Sequence, residues 1–189
     1  MSNIGCNKCD RSFVDVTNER EACPKYWIAM LVQMNTEKKT SEKLTKLGIR
    51  NYVPTQTEIH QWSDRKKRIE KVVIPMVVFA YVNKRVEQEI KSYSFVYKLL
   101  SYPGQSEAAI IPEEQIDRLK FMLSNADSKV KVAETVFELG EKIEIVRGPL
   151  KGLCGELCYV EDRKPMVGVY LNLFGYICVE ISKNDIGKI

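Results

Sequence analysis

The sequence predicts an α+β fold in two parts: a domain in which strands and helices alternate, then a small β-barrel. Three observations carry this. From Tyr26 to Leu123, apolar runs of strand character alternate with segments of helical period. Over residues 124–135 the chain turns mostly polar and charged, as a linker would. From Val136 on, five short strand patterns fall within about 50 residues and are separated by Gly or Pro turns, the pattern of a small barrel that hides its own edges. The expected organisation is an extension over 1–24, a domain over 25–123, the linker over 124–135 and the barrel over 136–189.

Each element has a local reason. Residues 1–24 scatter Phe13, Val14 and Val16 among polar residues without a period, and read as a mobile extension. Tyr26 to Val32 is apolar on both faces, as a central strand requires. Thr36 suits the N-cap of a helix in which Leu44 and Leu47 lie three apart on one face, and Gly48 suits its end. Ile49 to Ile59 is extended through Tyr52-Val53-Pro54. The polar run Ser63-Asp64-Arg65-Lys66-Lys67-Arg68 reads as a hairpin tip, from which the chain returns through Ile69 to Ile74. Val77 to Val82 is a strongly apolar strand, Val86 and Ile90 share a helical face, and Phe95 to Leu100 is extended. Pro112 near a first turn, Glu113 and Glu114 at the positive end, and Ile116, Leu119 and Leu123 as buried stripe define the next helix. The barrel strands are expected at Lys142–Val146, Leu153–Val160, Val167–Leu173, Tyr176–Ile181 and near Ile186.

Composition narrows the function. The 29 basic and 25 acidic side chains leave a formal charge of +4, mild enough to permit a nucleic-acid contact without arguing for one. No apolar run approaches the roughly 20 residues that span a bilayer, and no secretory signal pattern opens the chain, so a cytoplasmic protein without a membrane partner is expected. The six cysteines are then read as free thiols. Cys6, Cys9 and Cys23 could begin a zinc site, but a fourth ligand is missing nearby, so no metal is expected. Catalysis finds little footing: His60 is the sole histidine, the glycines near 150 lack the Gly-Lys-Ser/Thr ending of a phosphate loop, and Glu113-Glu114 is explained by a helix dipole. Neither an enzyme nor a cofactor is expected.

The stretch Val146-Arg147-Gly148-Pro149-Leu150-Lys151-Gly152-Leu153-Cys154-Gly155 is the most telling local pattern. Gly148-Pro149 stops one strand, and Gly152 and Gly155 permit the turn and the close backbone approach that start the next. It resembles the KOW motif of transcription and translation proteins. Upstream, Tyr26-Trp27-Ile28, Tyr52-Val53-Pro54-Thr55 and Ile74-Pro75-Met76-Val77-Val78-Phe79 resemble, in this order, landmarks of the NusG family, and Leu171-Asn172-Leu173-Phe174-Gly175 completes the set. The resemblance implies a ferredoxin-like α/β sandwich joined to an SH3-like KOW barrel. It further implies a transcription elongation factor that binds the clamp helices of bacterial RNA polymerase and suppresses pausing or termination. Met76-Val77 departs from the family's frequent Gly or Asn followed by Tyr, and fits a specialised paralogue better; the similarity is to UpxY-type antiterminators, which act in long operons for capsular polysaccharide.

The same resemblance places Leu31, Val77, Phe79 and Tyr102 at the polymerase-binding patch. Alternation puts Val77 and Phe79 on one strand face opposite Val78, and that face is either the patch or plain core. Arg65, Lys66, Lys67 and Arg68 are the candidate contact to non-template or upstream DNA, or else a solvated hairpin tip. Phe174 sits where the family's KOW domain engages Rho or a small-subunit ribosomal protein, or else plugs the barrel. The alternative function is a ribosome- or RNA-associated KOW protein, against which the upstream landmarks argue.

Overall fold

The computed structural model describes residues 24–61, 66–133, 138–160 and 164–188; the extension with Cys6, Cys9 and Cys23, and also Arg65, lie outside the described residues. In chain order the elements are β1 (Tyr26–Val32), α1 (Glu37–Lys46), β2 (Arg50–Tyr52), β3 (Thr55–Gln61), β4 (Lys66–Val72), β5 (Val77–Val82), α2 (Lys84–Lys91), β6 (Val96–Leu99), β7 (Ile110–Ile111) and α3 (Glu113–Asn125). A second group follows: β8 (Lys131–Val132), β9 (Glu138–Ile145), β10 (Cys154–Val160), β11 (Lys164–Leu171), β12 (Gly175–Glu180) and β13 (Ile186–Lys188).

The first sheet runs β2-β5-β1-β6, with β7 also on β1. Its hub is the antiparallel pair β1 and β5, in register from Tyr26 opposite Val82 to Leu31 opposite Val77. Both faces of this pair are buried, which is why both strands are apolar at every position. Ile28, Met30, Val32, Val78 and Ala80 pack on Leu44 of α1 and Ile90 of α2. Trp27, Ala29, Val77 and Phe79 pack on Ile116, Leu119, Met122 and Leu123 of α3. The two helices α1 and α2 therefore share one side of the sheet, and α3 takes the other.

Three local expectations change. Thr36 is the N-cap residue, but its hydroxyl donates back to the Gln33 carbonyl at 2.7 Å and caps nothing. Leu47 is 53% exposed at the helix end rather than part of the buried stripe. Lys66, Lys67 and Arg68 belong to strand β4, paired with Gln61, His60 and Ile59, so the tip is shorter than the charge run suggested.

The loop before β5 explains an oddity of the sequence. Met76 has φ of 63°, a conformation that crowds a Cβ, and it is held there from two sides. Its N–H donates to the buried Glu37 carboxylate at 2.8 Å, and its carbonyl accepts from Val32 N–H at 2.8 Å. Met76→Gly is expected to relieve this strain and raise the unfolding free energy by about 0.5–1 kcal/mol, read from urea unfolding.

Glu87 is a second buried carboxylate, with 2% of its side chain exposed. Burial alone would raise its pKa, but the Tyr26 hydroxyl at 2.7 Å, Lys91 at 3.0 Å and Lys84 at 3.6 Å outweigh that and hold it below its ordinary 4.5. A lowered carboxylate stabilises the fold above its unfolded pKa, and that contribution fades as pH falls through the lowered value. The loss of thermal stability below pH 4.5 is therefore expected to be shallower in Glu87→Gln than in the wild type.

The second sheet is antiparallel in the order β13-β9-β10-β11-β12-β8. Its edge strand β8 comes from residues expected as linker, and α3 runs to Asn125, so the connection between these two elements is residues 126–130. Ile143, Ile145, Leu153, Val167, Val169, Ile177 and Val179 form its apolar face. Cys154, Cys158 and Cys178 are free thiols. The glycine-proline stretch makes the β9–β10 connection: Gly152, at φ of 88°, donates to Ile145 and returns the chain to β10.

Candidate functional site

The face of the first sheet that carries Val77 and Phe79 is the candidate site. Three strand residues build it. Leu31 on β1 lies opposite Val77 on β5, and Phe79 follows two positions later, so the sheet register gathers all three. Leu31 is half-buried at the rim, Val77 is buried and Phe79 is fully buried. Tyr102 lies half-buried in the loop between β6 and β7, where its carbonyl accepts the Gln105 N–H.

Aromatic rings extend the face. Tyr52 stacks near Phe79 with centroids 6.4 Å apart, and Trp27 lies 5.3 Å from Tyr81. The Arg50 guanidinium sits over Trp27 and Tyr81 at 5.2 and 5.1 Å, and the Lys120 ammonium over Trp27 and Tyr52 at 4.9 and 5.5 Å. Cations above ring faces are attracted by the ring quadrupole. Burial pushes the Tyr52 phenol up to about 12, so it is a neutral hydroxyl at physiological pH. Sequence reasoning missed Arg50 and Lys120. No local signal marks them, because each is an isolated cation whose aromatic partners come mostly from other elements.

What covers Phe79 is the finding that sequence could not supply. Its ring meets Phe174 of the second sheet edge-on, with centroids 5.7 Å apart and planes at 78°. The Leu171–Gly175 turn presents that ring: Phe174 N–H donates to Leu171, and Leu173 and Gly175 take φ of 75° and 74°. Phe174 is thus half-buried rather than free. It joins one apolar cluster running from Phe79 and α3 into the C-terminal unit. The two residues expected to face different partners face each other.

Of the basic run, Lys66, Lys67 and Arg68 occupy successive positions of β4, and Arg68 is exposed.

The sequence model of the family described as "Transcription termination factor nusG" matches residues 25–120, just over half of the chain. The chain belongs to the NusG family. That makes it a transcription factor acting in elongation and termination, and not an enzyme. The transcription termination/antitermination protein NusG of Staphylococcus carnosus (strain TM300) is 25% identical over 164 residues, covering 84% of this chain and 88% of that protein. Among solved structures, one described as "Domain interaction in Thermotoga maritima NusG" is 20% identical, covers 88% of this chain and 98% of its own, and has a TM-score of 0.46. A chain of the MjSpt4:Spt5 complex is also 20% identical, covers 86% and 96%, and has a TM-score of 0.27. No helix among the described residues is long and apolar enough to cross a membrane.

Proposed function

We propose that this protein is a specialised elongation and antitermination factor of long operons such as capsular polysaccharide loci. It binds the clamp helices of bacterial RNA polymerase through Leu31, Val77 and Phe79, with Tyr102 at the margin. One observation carries the reading: these β1 and β5 residues form a continuous apolar and aromatic face in the domain that matches the NusG family. An amphipathic helix binds such a face by seating its apolar stripe, and buried aromatics supply most of the energy. The working units are residues 25–123 for polymerase and 136–189 as a KOW domain, whose Phe174 turn addresses Rho or a ribosomal protein. Lys66, Lys67 and Arg68 of β4, together with Arg65, address the phosphates of non-template or upstream DNA.

The test uses purified bacterial RNA polymerase and the full chain. Capture by the wild type and by Phe174→Ala, with at least tenfold weaker capture by a folded Leu31→Asp variant, is the expected result. No capture by either of the first two would sink the polymerase reading and leave the ribosome- or RNA-associated one in its place.

A further inference from the structure

Two thiols of the C-terminal sheet lie on the face turned away from its apolar cluster. Cys158 on β10 stands opposite Met166 on β11, and Cys178 on β12 stands opposite Gly168 of that same strand. Alternation puts these four positions on one face, while Val167, Val169, Ile177 and Val179 point to the other. Cys158 and Cys178 are nonetheless only 0% and 1% exposed, and both are free thiols.

Gly168 explains how thiols on two strands that do not pair come together. A Cβ at this position would lie 2.7 Å from Cys158 Sγ, 3.3 Å from Cys178 Sγ and 3.0 Å from Cδ1 of the Tyr176 ring. The space of a missing side chain is thus taken by two sulfurs reaching over the middle strand, beside one aromatic ring. Cys178 donates a hydrogen bond to the Cys158 sulfur. That bond draws the Cys158 thiol below its ordinary 9.0 and, with burial, pushes Cys178 above it. The ring is fixed in turn: the Tyr176 hydroxyl donates to the Glu156 carboxylate at 2.6 Å, and Tyr170 packs edge-on at 5.3 Å.

Strand spacing decides what such a pair can do. Strands β10 and β12 are two spacings apart, roughly 9.5 Å, whereas disulfide-linked Cα atoms lie within about 7 Å. The sulfurs can therefore share a small ion, but cannot close a bond on each other without moving the backbone. The donors are soft: two thiols, with the half-buried thioether of Met166 opposite Cys158. Thiolate and thioether ligands together select Cu(I). Zinc is ill served, because its structural sites take four ligands. Among the described residues, no group of three His, Cys, Asp or Glu side chains is placed to hold a metal ion. The expectation of no metal rests on Cys6, Cys9 and Cys23, whereas these two thiols meet only in the fold.

We propose that Cys158 and Cys178, with Met166 as a weaker third donor, form a binding site for a cuprous ion over Gly168. Each bond from copper to a thiolate forms as a thiol proton leaves to water, and neither copper nor sulfur changes oxidation state. Two thiolates and Cu(I) together carry one net negative charge. Lys131, opposite Cys178, and Lys142, opposite Glu156, answer it from the same face, while Glu156 and Glu180 oppose it. The bound ion ties β10 to β12 across β11, so it steadies the C-terminal sheet and does not depend on the function proposed above.

The probe is Cu(I) itself, titrated anaerobically into the full chain against a colorimetric Cu(I) chelator. Cys6, Cys9, Cys23 and Cys154 are replaced by Ser, so that only the two buried thiols answer. One Cu(I) per chain is expected, with sulfur neighbours alone in X-ray absorption and a thermal transition moved upward. Cys158→Ser and Cys178→Ser should each weaken binding at least a hundredfold, and Met166→Leu at least threefold. Amide exchange along the β10–β11 ladder shows which variants are folded. The parent of these variants keeps both thiols, so its own titration decides even where a further Ser prevents folding. Cu(I) left with the chelator by that folded parent, or held equally well without Cys178, would overturn the site. So would a Cys158–Cys178 disulfide after mild peroxide treatment, because the sulfurs would then close on each other instead of on an ion.

Discussion

Phe79→Ala is expected to lower the free energy of unfolding by about 3–5 kcal/mol, the cost of emptying a buried aromatic site. The ring is fully buried, flanked by Tyr52 and Phe174, and shares a cluster with Val77 and α3. Urea unfolding followed by far-ultraviolet circular dichroism measures it. The result also reads the domain arrangement, since part of that burial comes from Phe174. A loss below about 1 kcal/mol would mean that the ring is largely open to water in solution, and that the closed form is a minor state. The variant is for the same reason a poor probe of polymerase binding, because fold and function would fall together. Leu31, at the rim, separates the two.

Gly155→Ala is expected to destabilise the C-terminal sheet by about 1–3 kcal/mol, with strand pairing on β10 disturbed first. A Cβ at this position would lie 2.7 Å from the Gly168 carbonyl oxygen of the neighbouring strand. That atom is backbone and cannot turn aside as a side chain would. Gly152→Ala provides the contrast: nothing lies within 4 Å, and its cost comes from the backbone angle alone. Thermal melts of the two, with hydrogen exchange along β10 and β11, separate steric from conformational loss. Undisturbed ladder protection in Gly155→Ala would refute the close approach.

Both glycines were legible in the sequence, and so was much of the fold. Apolar residues at every position of Tyr26–Val32 and Val77–Val82 announced strands covered on two faces, and each face now has its helices. Pro112 followed by two glutamates announced the start of α3. Met76 was visible as a departure from a family pattern, and its left-handed backbone shows why glycine or asparagine suits the position. What escaped was polar and distant. Glu87 is buried because a tyrosine 61 residues away donates to it, and Gln115 matters because of an asparagine 57 residues along the chain. Periodicity reports which face of an element is apolar; it is silent on which polar side chains meet across the molecule. The gap was widest at Phe79 and Phe174. Each was recognised as an apolar anchor, and nothing in either local pattern showed that one would sit on the other.

The Val130 N–H is held by Gln56 of the first domain at 2.9 Å, and the next residue, Lys131, pairs with Cys178 of β12, so very little chain separates the two domains. A short tether keeps the Phe174 turn beside Phe79 at an effective concentration in the millimolar range. A free protein competing for that face at about 1 μM starts some thousandfold behind, so it must gain about 4 kcal/mol over the internal contact merely to draw level. Even a contact of modest intrinsic strength can then keep the face occupied. Lengthening the tether with glycine and serine would shift that balance without altering one atom of either surface, so the distance along the chain is itself a setting of the protein's affinity.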